Sequence, residues 1–320
     1  MGFGLFMLLI ILLAGGALLC ACAAGLMAWS LVHPPRMTDG KAMWVLRRLS
    51  PADLGMGFED VKIAIRDEHG KSLSISAWWI ANPAAQGRCA VLVHGYADAK
   101  VGAIAWAPLW YSLGFNLLVP DMRAHGESGG TMCTAGYFER HDLSQIINEF
   151  QTTRPADTRQ IVLFGLSMGA AVVAAAAALR TDLAAVVLDS PYAHFRHAAM
   201  RHMQWVGLPG RWLQTLAIGL AEWITGADVD AVAPVNQIAA IKCPVMVIEA
   251  GNDWSLSTED RARLKEAVEK PRGHKAEMWT VDGADHLMAM VADPNQYREK
   301  LAAFLAEALQ VAAADRLVQS

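Results

Sequence analysis

The pattern of apolar and polar positions divides the chain in two. Residues 1–32 carry no charged side chain, more than the roughly 20 apolar residues a helix needs to cross a hydrocarbon layer. From residue 61 the texture changes to short apolar runs alternating with stretches of helical period. Residues 61–65 and 72–80 alternate about the turn Asp67-Glu68-His69-Gly70 and predict a hairpin. Apolar runs at 90–93, 161–164 and 184–188 predict buried strands, and strands at 115–119, 244–248 and 276–281 complete the set. Helical stretches at 101–113, 138–150, 170–179, 258–268 and 296–310 fall between or after them. That alternation predicts an α/β architecture, a mostly parallel sheet with helices on both faces.

Two segments stand outside the rhythm. Residues 33–60, with Pro34, Pro35 and Pro51, read as a linker leading into the body. Residues 192–235 are helical without a strand, rich in Trp205, Trp212, Trp223, Met200 and Met203. Inserted between two strands, they predict a cap over the carboxyl edge of the sheet. Their apolar side chains either line an acyl pocket or only dock the cap. The body is expected to span 61–312.

Composition adds bounds. The 320 residues are 54% hydrophobic with a net charge of −4, and no basic block marks a nucleic-acid partner. Cys20 and Cys22 lie in the first segment, and Cys89, Cys133 and Cys243 are scattered. Neither a disulfide framework nor metal-ligand spacing is present. The first segment lacks the basic start of a signal peptide, so an uncleaved, single-pass membrane anchor is expected. Cleavage near Ala21-Cys22-Ala23 and lipid attachment at Cys22 are the alternatives. Arg36, Lys41, Arg47 and Arg48 follow the segment, so the positive-inside rule puts the body in the cytoplasm.

Candidate chemistry centres on Gly165-Leu166-Ser167-Met168-Gly169. An apolar strand runs into this pentapeptide and an alanine-rich helix runs out. A serine on so tight a strand-to-helix corner is a nucleophile elbow. Gly126-Glu127-Ser128-Gly129-Gly130 satisfies the same G-x-S-x-G pattern. It lies in a polar stretch with no helix after it and reads as a loop. A serine nucleophile needs a base, and that base needs an orienting carboxylate. His286, His94 and His125 all sit at strand ends, as do Asp253 and Asp189. Asp285, beside His286, reads as solvated. The backbone N–H of Met168 and that of Tyr96, in His94-Gly95-Tyr96, are the candidate oxyanion donors.

These motifs, with Asp121-Met122-Arg123-Ala124-His125-Gly126-Glu127-Ser128, Asp189-Ser190-Pro191-Tyr192, Ala233-Pro234-Val235 and Gly283-Ala284-Asp285-His286, resemble the α/β-hydrolase superfamily across about 61–309. Within it the chain is similar to serine aminopeptidase-type and lysophospholipase-like esterases. The resemblance implies an eight-stranded sheet, a small helical cap and no cofactor or metal. The superfamily's order of serine, acid and histidine selects Asp253 over Asp189 and His286 over His94 and His125. It thus implies a Ser167, Asp253, His286 triad with Tyr96 and Met168 at the oxyanion. Ala250 and Trp254-Ser255-Leu256-Ser257 depart from the pattern, so a differently shaped acid loop is expected. The expected activity is cleavage of a small-molecule ester, lipid-like or acyl substrates being favoured. A peptidase or amidase, or a non-catalytic scaffold, are the rival readings.

Overall fold

The computed structural model describes residues 2–205, 207, 210–271 and 273–319. The apolar segment forms one helix, α1 (Gly2–Val32). Its span Phe3–Val32 is long and apolar enough to cross a membrane. The segment after it is more structured than a linker. Arg36 is anchored to the body, and α2 (Asp39–Leu46) begins where the Thr38 side chain accepts the Lys41 N–H.

Eight strands make one sheet: β1 (Glu59–Arg66), β2 (Ser72–Ile80), β3 (Arg88–Val93), β4 (Asn116–Pro120), β5 (Gln160–Leu166), β6 (Leu183–Asp189), β7 (Val245–Ala250) and β8 (Ala276–Val281). Their order is β1-β2-β4-β3-β5-β6-β7-β8. β1 pairs with β2, and β2 with β4, antiparallel; every other pairing is parallel. The longer helices of the body are α3 (Glu139–Thr153), α4 (Met168–Ala178), α5 (Phe195–Trp205), α6 (Arg211–Thr225), α7 (Thr258–Glu269) and α8 (Pro294–Gln319).

Strand residues alternate between two cores. Val91, Val93 and Leu163 face one, with α3, α4 and the β1–β2 hairpin; Leu92, Val162 and Phe164 face the other, with Trp110 and α8. Every residue of α4 from Met168 to Ala177 is buried, and its alanines let this central helix lie close against the strands. The helix expected over 101–113 is broken instead into one-turn pieces, Lys100–Ala103 and Ala107–Ser112, joined by a 3-10 turn. Pro108 sits in the first turn of the last piece, where its missing N–H is tolerated. Elsewhere the predicted elements are recovered with ends shifted by a few residues, except that α8, expected over 296–310, runs on to Gln319; α4 starts directly after Ser167, two residues earlier than its apolar run implied.

The chain steps from β3 to β4 on one side and then to β5 on the other. The crevice at such a switch point, outside the carboxyl ends of β3 and β5, is where open α/β sheets bind ligands.

Candidate active site

Ser167 occupies that crevice. Its backbone has φ 54° and ψ −115°, a conformation that non-glycine residues hold only when the surroundings enforce it. Two glycines make the corner possible. A Cβ on Gly165 would lie 2.4 Å from the Gly169 carbonyl oxygen, and one on Gly169 would lie 2.3 Å from that of Val93. The Ser167 N–H is tied to the Asp189 carbonyl at 2.9 Å. The corner leaves the hydroxyl facing outward beneath the start of α4.

Ser167 Oγ lies 2.9 Å from His286 Nε2, and His286 Nδ1 lies 2.6 Å from Asp253 Oδ2. A carboxylate can only accept, so Nδ1 carries the hydrogen and Nε2 is left to accept the serine proton. The Asp253 side chain is fully buried. Burial alone would raise its pKa, but the bonds from His286 and from Ser255 outweigh it and hold the carboxyl below its usual range. Ser255 N–H donates to the other carboxylate oxygen at 2.8 Å. The unusual acid loop thus still presents Asp253 to His286, with Leu256 buried beneath it and Ser257 capping α7.

The rival residues have other partners. Asp189 is fully buried, accepting from Tyr297 OH at 2.6 Å and from Ser190 Oγ at 2.9 Å; burial raises its pKa to about 6. His94 Nε2 accepts the Met122 N–H at 2.9 Å, so its Nδ1 donates to the Gly95 carbonyl at 2.7 Å. That neutral ring, whose pKa burial lowers, ties the loop after β3 to the loop after β4. His125 Nδ1 bonds the Arg123 carbonyl, and burial lowers this pKa to about 4. Asp285 is exposed, as expected. Ser128, the pattern's other serine, is 2% exposed. Its hydroxyl donates to the Asp121 carbonyl at 2.7 Å and accepts the Ser76 N–H at 2.8 Å.

Met168 is the first residue of α4, where N–H groups have no partner within the helix. Gly95 brings the loop of Tyr96 against the corner, since a Cβ there would lie 3.4 Å from that of Ser167. Both oxyanion candidates therefore flank the serine. At Tyr96 a narrow, mostly apolar recess is lined by Cys133, Phe195, Ile218, Ala221 and the end of α1, with Glu222 and Thr225 also on its wall, and has about 20 Å³ of free space, close to one water. Of the cap residues expected near a pocket, Trp212 and Trp223 face outward, Met203 packs against α1, and the Trp205 side chain lies outside the described residues. A roomier cleft of about 550 Å³, among Asp182, Lys242 and His274, lies at the amino ends of β6 and β7, away from the serine.

Sequence reasoning missed three supports. The Arg261 guanidinium pairs with Glu249 and donates to the Asp253 carbonyl at 2.9 Å, fixing the acid loop. Ser190 Oγ accepts the Leu287 N–H at 3.1 Å, holding the loop of His286. Arg36 donates to the carbonyls of Gly126 at 2.8 Å, Ser128 at 2.7 Å and Gly130 at 2.8 Å. Only Ser190 had a local signal, its place in the strand-end stretch Asp189-Ser190-Pro191.

This sheet order, elbow and crevice define the α/β-hydrolase fold, and a family model described as alpha/beta hydrolase fold matches residues 91–229. The chain thus has the α/β-hydrolase fold. Among curated proteins it is similar to YqkD of Bacillus subtilis, 28% identical over 67% of this chain and 70% of that one. Rv2307c of Mycobacterium tuberculosis is 26% identical over 78% of this chain and 79% of its own length. Among solved structures, the Pyrococcus furiosus esterase Pf2001 superposes with a TM-score of 0.68 at 24% identity, covering 87% of this chain and 98% of that one. At that identity the likeness concerns the fold alone.

Proposed function

We propose that this protein is a membrane-anchored serine hydrolase that cleaves carboxylic esters, acyl or lipid-like ones in particular, through an acyl-enzyme. The observation that carries the reading is the unbroken chain of hydrogen bonds from Ser167 through His286 to Asp253, 2.9 and 2.6 Å long, on a strained elbow. His286 Nε2 takes the Ser167 proton as Oγ attacks the ester carbonyl, and Asp253 stabilises the imidazolium that forms. The N–H groups of Tyr96 and Met168 receive the oxyanion; one such donor is typically worth about 100- to 1,000-fold in turnover. His286 then protonates the departing alcohol. It next deprotonates a water, which attacks the acyl-enzyme and restores Ser167.

In this reading residues 61–312 are the catalytic body, 192–235 its cap and 1–32 the anchor. The body faces the cytoplasm, which protease accessibility in sealed vesicles checks: digestion from outside would reverse the orientation. The apolar recess beside Tyr96 favours acyl substrates over polar ones. The test is hydrolysis of p-nitrophenyl esters from butyrate to palmitate by the full-length protein in detergent, beside Ser167→Ala. Hydrolysis that disappears with the substitution supports the reading. Equal release by both proteins refutes it. Turnover of peptides alone would assign a peptidase, and no turnover or labelling of any kind a scaffold.

A further inference from the structure

The two halves of α1 have different surroundings. From Phe3 to Leu19 its large side chains are exposed, Phe3 at 79% and Leu19 at 73%. Further along, Ala24, Met27, Ala28 and Val32 are all under 8% exposed. Their spacing is that of one helical stripe, and it packs onto Met203, Leu213, Ala217, Ile218 and Ala221 of the cap helices. Leu26 and Trp29, on the opposite side of the same turns, remain exposed. The last three turns of α1 are thus part of the folded body.

They also meet the loops around Ser167. The Ser30 carbonyl accepts the Tyr96 hydroxyl at 2.5 Å, and the Val32 carbonyl accepts the Cys133 N–H at 2.7 Å. Four residues on, Arg36 holds the loop after β4 through its carbonyls. Leu31 and Val32 line the recess together with Tyr96 and Cys133. Cys133 Sγ lies 3.5 Å from Met168 Sδ, so one residue of the recess wall packs on the Met168 side chain and another is Tyr96 itself.

We propose that the end of α1 is one wall of the acyl-chain site, with Leu31 and Val32 setting the chain length accepted. This rests on the serine-esterase reading and names its specificity element. The recess is a closed seam in this conformation, so a chain enters as the cap helices move outward from α1 and Tyr96. The chain would then lie against the last turn of α1 only, and the exposed apolar half beyond it suits a protein whose substrate comes from a lipid layer. A body cut near Pro35 loses Leu31, Val32 and the Ser30 carbonyl together, and uncovers the apolar cap face that α1 packs against.

The test compares full-length wild type, Leu31→Trp, Leu31→Ala and Leu13→Ala in detergent micelles, with kcat and KM for esters from butyrate to palmitate. Filling the seam in Leu31→Trp should lower the palmitate-to-butyrate ratio of kcat/KM by about tenfold, the scale of one or two methylenes in an apolar pocket, chiefly through KM. Leu31→Ala should raise the ratio, and Leu13→Ala, on the exposed half, should leave it unchanged. Should the tryptophan variant fail to fold, the alanine variant decides. Folded Leu31 variants whose chain-length profiles superimpose on wild type would overturn the wall while leaving the esterase standing. A wild type that neither hydrolyses esters nor reacts with a fluorophosphonate would overturn both.

Discussion

Ser167 and Ser128 sit in the same five-residue pattern and occupy opposite environments. Ser167 follows a buried strand, starts a buried helix and meets His286. Ser128 lies in a loop with its hydroxyl spent on two backbone groups, the Ser76 N–H and the Asp121 carbonyl. The glycines differ in the same way. Those at Ser167 face backbone at 2.3 and 2.4 Å, whereas a Cβ on Gly126 would meet the Asp121 side chain at 2.3 Å and one on Gly130 would find its nearest backbone atom, the Ala124 nitrogen, at 3.3 Å. A pentapeptide becomes a nucleophile elbow only where strand, turn and helix compress it.

The sharpest break of that comparison is by activity. Ser167→Ala should cut kcat by roughly 10⁵- to 10⁶-fold, while Ser128→Ala keeps turnover and loses about 1–3 kcal/mol of stability, because the buried Ser76 N–H is left without its partner; steady-state kinetics and thermal melts read the two. Next comes the acid. Asp253→Asn should lower kcat by about 10⁴-fold through the wrong histidine tautomer, and Asp189→Asn far less; an equal loss in both would reassign the acid.

The glycines give a smaller contrast. Gly169→Ala must displace the β3 backbone and should cost about 3 kcal/mol or more, against about 1–2 kcal/mol for its counterpart Gly130→Ala, whose backbone is left-handed with φ 84°, measured by denaturant unfolding. The smallest effect is linked to pH. The folded pKa of Asp189, about 6, lies above its ordinary value, so its protonated form stabilises the fold. That contribution is complete below about pH 4 and is lost as pH rises through about 6, amounting to roughly 3 kcal/mol. Asp189→Asn should lack this loss, so between pH 4 and 7 wild type should lose stability relative to it. Parallel curves would mean Asp189 is ionised throughout.

The sheet was legible because the central parallel strands, β3 to β7, are almost wholly buried and read as largely apolar runs between helical stretches, while the edge strand β8 is only half-buried and carries Glu277 and Thr280. The candidate site was legible for a related reason: its side chains sit at the carboxyl ends of those strands, so the ends of the segments at 161–164, 244–248 and 276–281 point to Ser167, Asp253 and His286. What stayed hidden depends on partners distant in sequence or on atoms all residues share. Arg36 binds backbone carbonyls some ninety residues away, and no residue type marks a carbonyl as a partner. The docking stripe on α1 was invisible because that helix is apolar on every side. Ala24, Met27, Ala28 and Val32 look no different in sequence from their exposed neighbours. The broken helix over 101–113 was missed because its apolar spacing is helical even though its backbone is not continuous.

The most direct test of the elbow assignment is covalent labelling. Full-length protein treated with a fluorophosphonate is digested and the adduct located by mass spectrometry. A single adduct on the peptide carrying Ser167, absent from Ser167→Ala and with Ser128 unmodified, is the predicted result. An adduct on Ser128, labelling that persists in Ser167→Ala, or no adduct at all would contradict it.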